Sequence, residues 1–355
     1  MKYTRIAMMV AVVVLASGLS GVDVAADDPV SSNVRYSREI VRILQRRCTP
    51  CHRADGIAEP FETYRQVREW GRAIREEVVE QRMPPPTAAP GFGVVANSFA
   101  MTQRETQTLL SWLDGGMPRG NDRDLPALEP VHTHSDAVDV RVPLPRQEIP
   151  AGTSAVIRRV TLTLDAAPKL ARRVEVRSRR PRAFKGAMVF GAGDRWIGGG
   201  IAGQIPVEPP PAVAAAIAPR ETVTVMLFYR SGEQPASDDP ELIITPVEAG
   251  NPIVGFTIDT RTPRQSIERP LSLWSMQVVP GEQVRTVEVR MRQADGATRV
   301  LAWLPRVSAD WPIVLGLEEP VPLPLGSMLT VVAKDAAGSP AQARVSFSAT
   351  AASRP

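Results

Sequence analysis

The pentapeptide Cys48-Thr49-Pro50-Cys51-His52 carries the most specific chemistry in this chain. At the C-x-x-C-H spacing two thiols can form thioethers to the vinyl groups of a porphyrin. The next histidine then lies against one ring face and ligates iron, which makes the string the attachment signature of c-type haem. Cys48 and Cys51 are the only cysteines, so no thiol is left over for a structural disulfide. A thioredoxin-like dithiol is the plainer reading of C-x-x-C. His52 and the export signal described below argue against it. One covalent haem c is expected, with His52 as an axial ligand of its iron.

Such an iron needs a second axial ligand or keeps an open site. Met83 is the candidate, within Arg82-Met83-Pro84-Pro85-Pro86. Proline has a fixed φ and no amide hydrogen, so this loop can hold a thioether on iron at little ordering cost. The soft sulfur favours ferrous iron and raises the potential. Met101 and Met117 are rivals without a comparable loop, and an open sixth position is the remaining alternative. The chain has three histidines, too few for a Ser/His/Asp arrangement, and no catalytic residue is assigned. His132-Thr133-His134 could chelate copper or zinc, but no third ligand is identifiable and it reads as a solvated linker. Gly198-Gly199-Gly200 lacks the strand-to-helix setting of a nucleotide loop and reads as a turn. The stretch Arg177 to Arg182 reads as a solvated strand end, with electrostatic docking as its second reading.

The elements that must position these residues change type along the chain. Residues 1–26 look like an export signal: Lys2 and Arg5, then a mostly apolar run from Ile6 to Leu19, then Val24-Ala25-Ala26 before Asp27. The run is short for a membrane span, so a periplasmic or exported protein is expected rather than an integral membrane one. An uncleaved anchor is the alternative. Removing this segment takes away Lys2, Arg5 and Asp23 and leaves a net charge of +3. That mild balance, with no basic block, argues against nucleic acid as a partner. Up to about residue 130 the pattern is helical. Ile40, Ile43 and Leu44 form a short stripe. Val67, Trp70, Ile74 and Val78 recur at helical steps. Thr102 and Glu105 make a capping box ahead of Leu109, Trp112 and Leu113, and Gly115-Gly116 ends that helix. Beyond the linker apolar residues alternate, as in Val160, Leu162 and Leu164, in Val223, Val225 and Leu227, and in Val287, Val289 and Met291 before an Asp295-Gly296 hairpin turn.

Residues 36–120 resemble a cytochrome c domain found at the front of some large exported bacterial proteins. The resemblance rests on Tyr36-Ser37-Arg38-Glu39-Ile40, Leu44-Gln45-Arg46-Arg47-Cys48, Cys51-His52-Arg53, Ala58-Glu59-Pro60-Phe61, Tyr64, Trp70, Met83-Pro84-Pro85 and Trp112-Leu113-Asp114-Gly115-Gly116. The family often has tryptophan after the two prolines, where Pro86 stands here. Residues 137–335 resemble, in outline, a copper type II, ascorbate-dependent monooxygenase-like module of two β-sandwiches, the kind of peptidylglycine hydroxylating monooxygenases. Trp196 to Gly199 with Pro206, Leu227 to Gly232, Val287 to Gly296, Asp310-Trp311, Leu317 to Pro320 and Pro324 to Ser327 carry that likeness. The resemblance places the family's first histidine pair on Phe184-Lys185-Gly186-Ala187. It places two further histidines on Phe228 and Arg230, and an H-x-H pair near Val279-Pro280-Gly281. None of these suits copper, so copper is not expected.

The expectation is thus a multidomain, α plus all-β chain. A signal (1–26) precedes an N-terminal α-helical monohaem cytochrome c domain (27–125) and a linker (126–136). Two β-sandwich, jelly-roll-like domains (137–250 and 251–350) and a tail (351–355) follow. The expected function is single-electron transfer through a His52/Met83 haem, with the β module inert and used for docking. The partner would be a periplasmic redox protein or a small-molecule electron donor or acceptor. Two enzyme readings stand beside it: a copper monooxygenase fed by its own haem, and a haem enzyme or sensor with an open sixth position.

Overall fold

The computed structural model describes residues 33–85, 87–93, 95–96, 98–127, 139–153, 155–165, 167–204 and 206–352. The signal, Pro86, most of the linker with His132 and His134, and the last three residues lie outside them.

The chain is mostly β, and this overturns the α plus all-β expectation with its N-terminal α-helical cytochrome c domain. Among the described residues there are nineteen strands and four α-helices. The helices are short: α1 (Val41–Arg47), α2 (Tyr64–Glu69), α3 (Gly71–Val79) and α4 (Gln103–Asp114). Three are shorter than the roughly 12 residues at which isolated helices begin to hold in water. A π-helical turn, Tyr36–Ile40, leads into α1. The stripe read as one middle helix is broken at Trp70, which has φ −96° and ψ 3°. Gly71 starts α3 where a Cβ would crowd the Met117 thioether, so the bend lets the segment after α4 pack closely.

The helical segment has a small core of Tyr36, Ile40, Leu44, Val67, Leu109 and Trp112, but it is not a body of its own. Between α3 and α4 the chain leaves that core. Ala88 is buried with the core of the second β unit. The Ala89 amide donates to the Trp303 carbonyl at 2.7 Å and the Ala96 amide to that of Gly316 at 2.8 Å. Val95 forms an antiparallel bridge with Leu317. The prolines and glycines between residues 84 and 93 disfavour a helix there, and the Ala89 amide is satisfied on the β structure instead.

The first β unit comprises β1 (Val140–Pro143), β2 (Gln147–Ile149), β3 (Val156–Leu164), β4 (Leu170–Arg177), β5 (Phe184–Phe190), β6 (Trp196–Ile201), β7 (Val213–Ala216), β8 (Glu221–Tyr229), β9 (Ala236–Asp238), β10 (Glu241–Pro246) and β11 (Asn251–Pro252). The sheets β1-β10-β4-β7-β11 and β3-β8-β5-β6 face each other across one core, with β2-β9 as a small annex. The second unit comprises β12 (Val254–Asp259), β13 (Arg264–Ser266), β14 (Leu271–Pro280), β15 (Thr286–Arg292), β16 (Thr298–Leu304), β17 (Ile313–Leu323), β18 (Met328–Lys334) and β19 (Ala343–Ala351). Its sheets run β12-β19-β14-β17 and β13-β18-β15-β16. Alternation sets the buried faces: Val287, Val289 and Met291 on β15 point into the second core. The β15–β16 turn closes on Gly296 at φ +90°. Strand β5 departs from alternation because both its faces are covered, and every residue on it is buried, Lys185 included.

Candidate haem site

Helix α1 delivers the C-x-x-C-H segment. The Cys48 amide continues the helix by donating to the Leu44 carbonyl at 2.8 Å, and the Cys51 and His52 amides turn back onto Cys48 at 3.1 and 2.9 Å. This tight turn presents both thiols and the imidazole in one direction. His52 is held at two points: its Nδ1 lies 2.8 Å from the Glu59 carbonyl, and its ring stacks on Phe61 with centroids 4.1 Å apart at 9°. A carbonyl can only accept, so Nδ1 carries the proton and Nε2 keeps its lone pair, the state a metal ligand needs. Burial lowers the His52 pKa and favours that neutral form.

A cavity of about 590 Å³ opens in front of this turn. Cys48, Cys51, His52 and Met83 all line it. Met101 lines it too and so remains a rival to Met83, whereas Met117 packs in the helical core. The volume falls within the range of sites for cofactor-sized ligands. Much of the wall is apolar, including Phe61, Ile74, Val78, Phe99 and Trp311. Two thiols, one basic imidazole nitrogen and a thioether around an apolar cavity fit a covalently attached haem. They do not suit a thioredoxin-like dithiol. That chemistry needs a lowered thiol pKa, and burial pushes both Cys48 and Cys51 up to about 12.

The β units supply the rest of the wall, which sequence reasoning missed. Cys51, Ile57 and Phe99 form one apolar cluster with Ile201 of β6 and Trp311 of the second unit, and Met83 packs against it. The Cys51 thiol donates to the Ala202 carbonyl at 3.4 Å. Gly203, at φ +82°, brings this turn onto the Cys48–His52 loop, where a Cβ would collide with the Pro50 carbonyl. Lys185 and Arg230 stand at positions where the copper-module resemblance places histidines, and both line the cavity. Lys185 Nζ pairs with Asp310 Oδ2 at 2.5 Å and lies 4.5 Å above the Trp311 ring. Arg230 reaches Glu59 at 3.6 Å. Arg306 donates to the Glu80 carbonyl. The available signal was a lysine inside the otherwise apolar run Ala183-Phe184-Lys185-Gly186-Ala187-Met188.

Phe184 and Phe228 are part of the first unit's core. Among the described residues no group of three or more His, Cys, Asp and Glu side chains is placed to hold a metal ion. The Arg177–Arg182 stretch is largely engaged within the chain: Arg177 with Glu175 at 3.2 Å, Arg179 with Glu241 at 2.9 Å, Arg180 with the Ser237 carbonyl at 3.1 Å and Arg182 with the Ala54 carbonyl at 3.1 Å. No helix among the described residues is long and apolar enough to cross a membrane.

No protein-family model and no curated protein matches the chain. One solved structure, a peptide-N(4)-(N-acetyl-β-D-glucosaminyl)asparagine amidase, aligns over 61% of this chain and 97% of its own. The identity is 10% and the TM-score 0.27, too low to carry an argument.

Proposed function

We propose that this protein is an exported carrier of single electrons that holds one haem c in the cavity before Cys48–His52. The reading rests on one observation: both thiols, the imidazole and the Met83 side chain line the same cavity. Cys48 and Cys51 would hold the porphyrin through thioethers, with His52 Nε2 and Met83 Sδ as the axial ligands. Haem bound there supplies a ferric/ferrous couple, which a His/Met pair sets toward the ferrous form. The Glu59 carbonyl and Phe61 orient the imidazole before any ligand arrives. The apolar wall keeps water out, and the partly exposed Trp70 (41%) marks an edge open to solvent. The β units would act without copper, as the docking surface for a redox partner or a small-molecule electron donor or acceptor.

The test is maturation with the haem-attachment machinery followed by optical spectroscopy. Ferric protein should carry covalent haem and the weak red-end charge-transfer band of an iron–thioether bond. Met83→Ala should abolish the band and Met101→Ala should leave it. The reverse pattern would move the ligand to Met101. A wild-type protein with no such band that binds carbon monoxide freely when reduced would make the site an open one, suited to an enzyme or sensor.

A further inference from the structure

The charges on the cavity wall carry an inference beyond the ligands. Five cationic side chains line it, Arg47, Arg82, Lys185, Arg230 and Arg306, beside the carboxylates of Glu59, Glu77 and Asp310. Three of the cations are neutralised by near carboxylates. Arg47 engages Glu105 at 3.2 Å, Arg82 engages Glu76 and Glu77 at 3.1 and 2.9 Å, and Lys185 engages Asp310 at 2.5 Å. Two are not. Arg230, just after β8 of the first unit, makes only a long, half-exposed ion pair with Glu59 at 3.6 Å. Arg306, just after β16 of the second unit, donates to the uncharged Glu80 carbonyl and has no carboxylate partner among the described residues. Both arginines are exposed to solvent, so neither is locked in place by burial. Guanidinium is also the side chain whose fork matches a carboxylate.

We propose that Arg230 and Arg306 form a dicarboxylate subsite that takes the two propionates of the haem, so that each β unit contributes one arm of a clamp. The proposal rests on the haem reading above and deepens it. Each propionate would give one of these loosely held guanidinium groups a carboxylate partner. The clamp would tie the helical segment to both units through the cofactor and would make the β structure part of the redox site.

The test uses full-length, haem-loaded protein with carbon-13 in the propionate carboxyls. Redox titration and redox-difference infrared spectra are recorded for wild type, Arg230→Gln, Arg306→Gln, the corresponding Lys variants and Arg299→Gln as an exposed control. Removing a cation near the iron favours the ferric state, so both Gln variants should show a lower midpoint potential and shifted labelled carboxylate bands. Both Lys variants should recover the potential, and Arg299→Gln should match wild type. Gln variants that keep covalent haem, the wild-type potential and unshifted labelled bands would overturn the clamp while leaving the haem reading intact. Wild-type protein without covalent haem would sink both.

Discussion

The helical segment and the β units meet around one cavity but are built on different physics. The helical segment uses helices of 7, 6, 9 and 12 residues with a small shared core. Its chemistry lies in the turns between them. The β units use strands as long as the 10 residues of β14 and the 11 of β17, paired in sheets of up to five strands around large apolar cores. Cys48, Cys51, His52 and Met83 therefore sit on the region that can least hold itself, and part of the wall around them sits on the region that can.

Haem-free protein breaks the comparison most sharply. With Cys48→Ser/Cys51→Ser, amide exchange in α1 to α4 should accelerate by orders of magnitude, while the central strands β5, β8 and β14 keep their protection. Equal acceleration in both regions, measured by mass spectrometry, would show that the helical segment is no more dependent on its ligand than the strands.

The thiols sharpen the same point through pH. Burial raises both above their ordinary value of 9, to about 12. The folded state therefore holds these protons more tightly than the unfolded one. That stability is complete below pH 9 and is lost as pH rises toward 12, by several kcal/mol. Reduced, haem-free wild type should lose denaturant resistance over that window. Haem-loaded protein, whose sulfurs are thioethers, should not show this loss.

Smaller changes separate the regions by size. Trp112 is fully buried in the helical core and donates through Nε1 to the Pro118 carbonyl at 3.0 Å. Trp112→Ala should cost about 3–5 kcal/mol, read as early loss of the haem spectrum in urea with the β signal of circular dichroism retained. The smallest effect belongs to a cap. Thr102 Oγ1 accepts the Glu105 amide at 3.1 Å and the Thr102 amide donates to Glu105 Oε2 at 2.8 Å. Thr102→Ala should cost about 1 kcal/mol in the same titration, and no change would mean that α4 is set by packing alone.

Local features were legible. The capping box at Thr102 and Glu105 forms as its spacing predicts, because both partners lie within one turn. A second box, Thr63 with Gln66, escaped notice although it has the same form. The expected helical domain failed because helical periodicity reports which face is apolar and not what covers it. The stretch around Ala88 carries no period, and its partners Trp303 and Gly316 are more than 200 residues away.

By itself the sequence carried the motif on which the haem proposal rests: the spacing of Cys48, Cys51 and His52, and a methionine before a run of prolines. Those are short-range facts, set by covalent geometry and restricted backbone angles. Only the tertiary structure decided what closes the cavity. Lys185, Arg230, Arg306, Asp310 and Trp311 converge on it from two β units because strand pairing and core burial bring remote segments together. No local pattern records that convergence, since each of these residues is set in place by partners far along the chain.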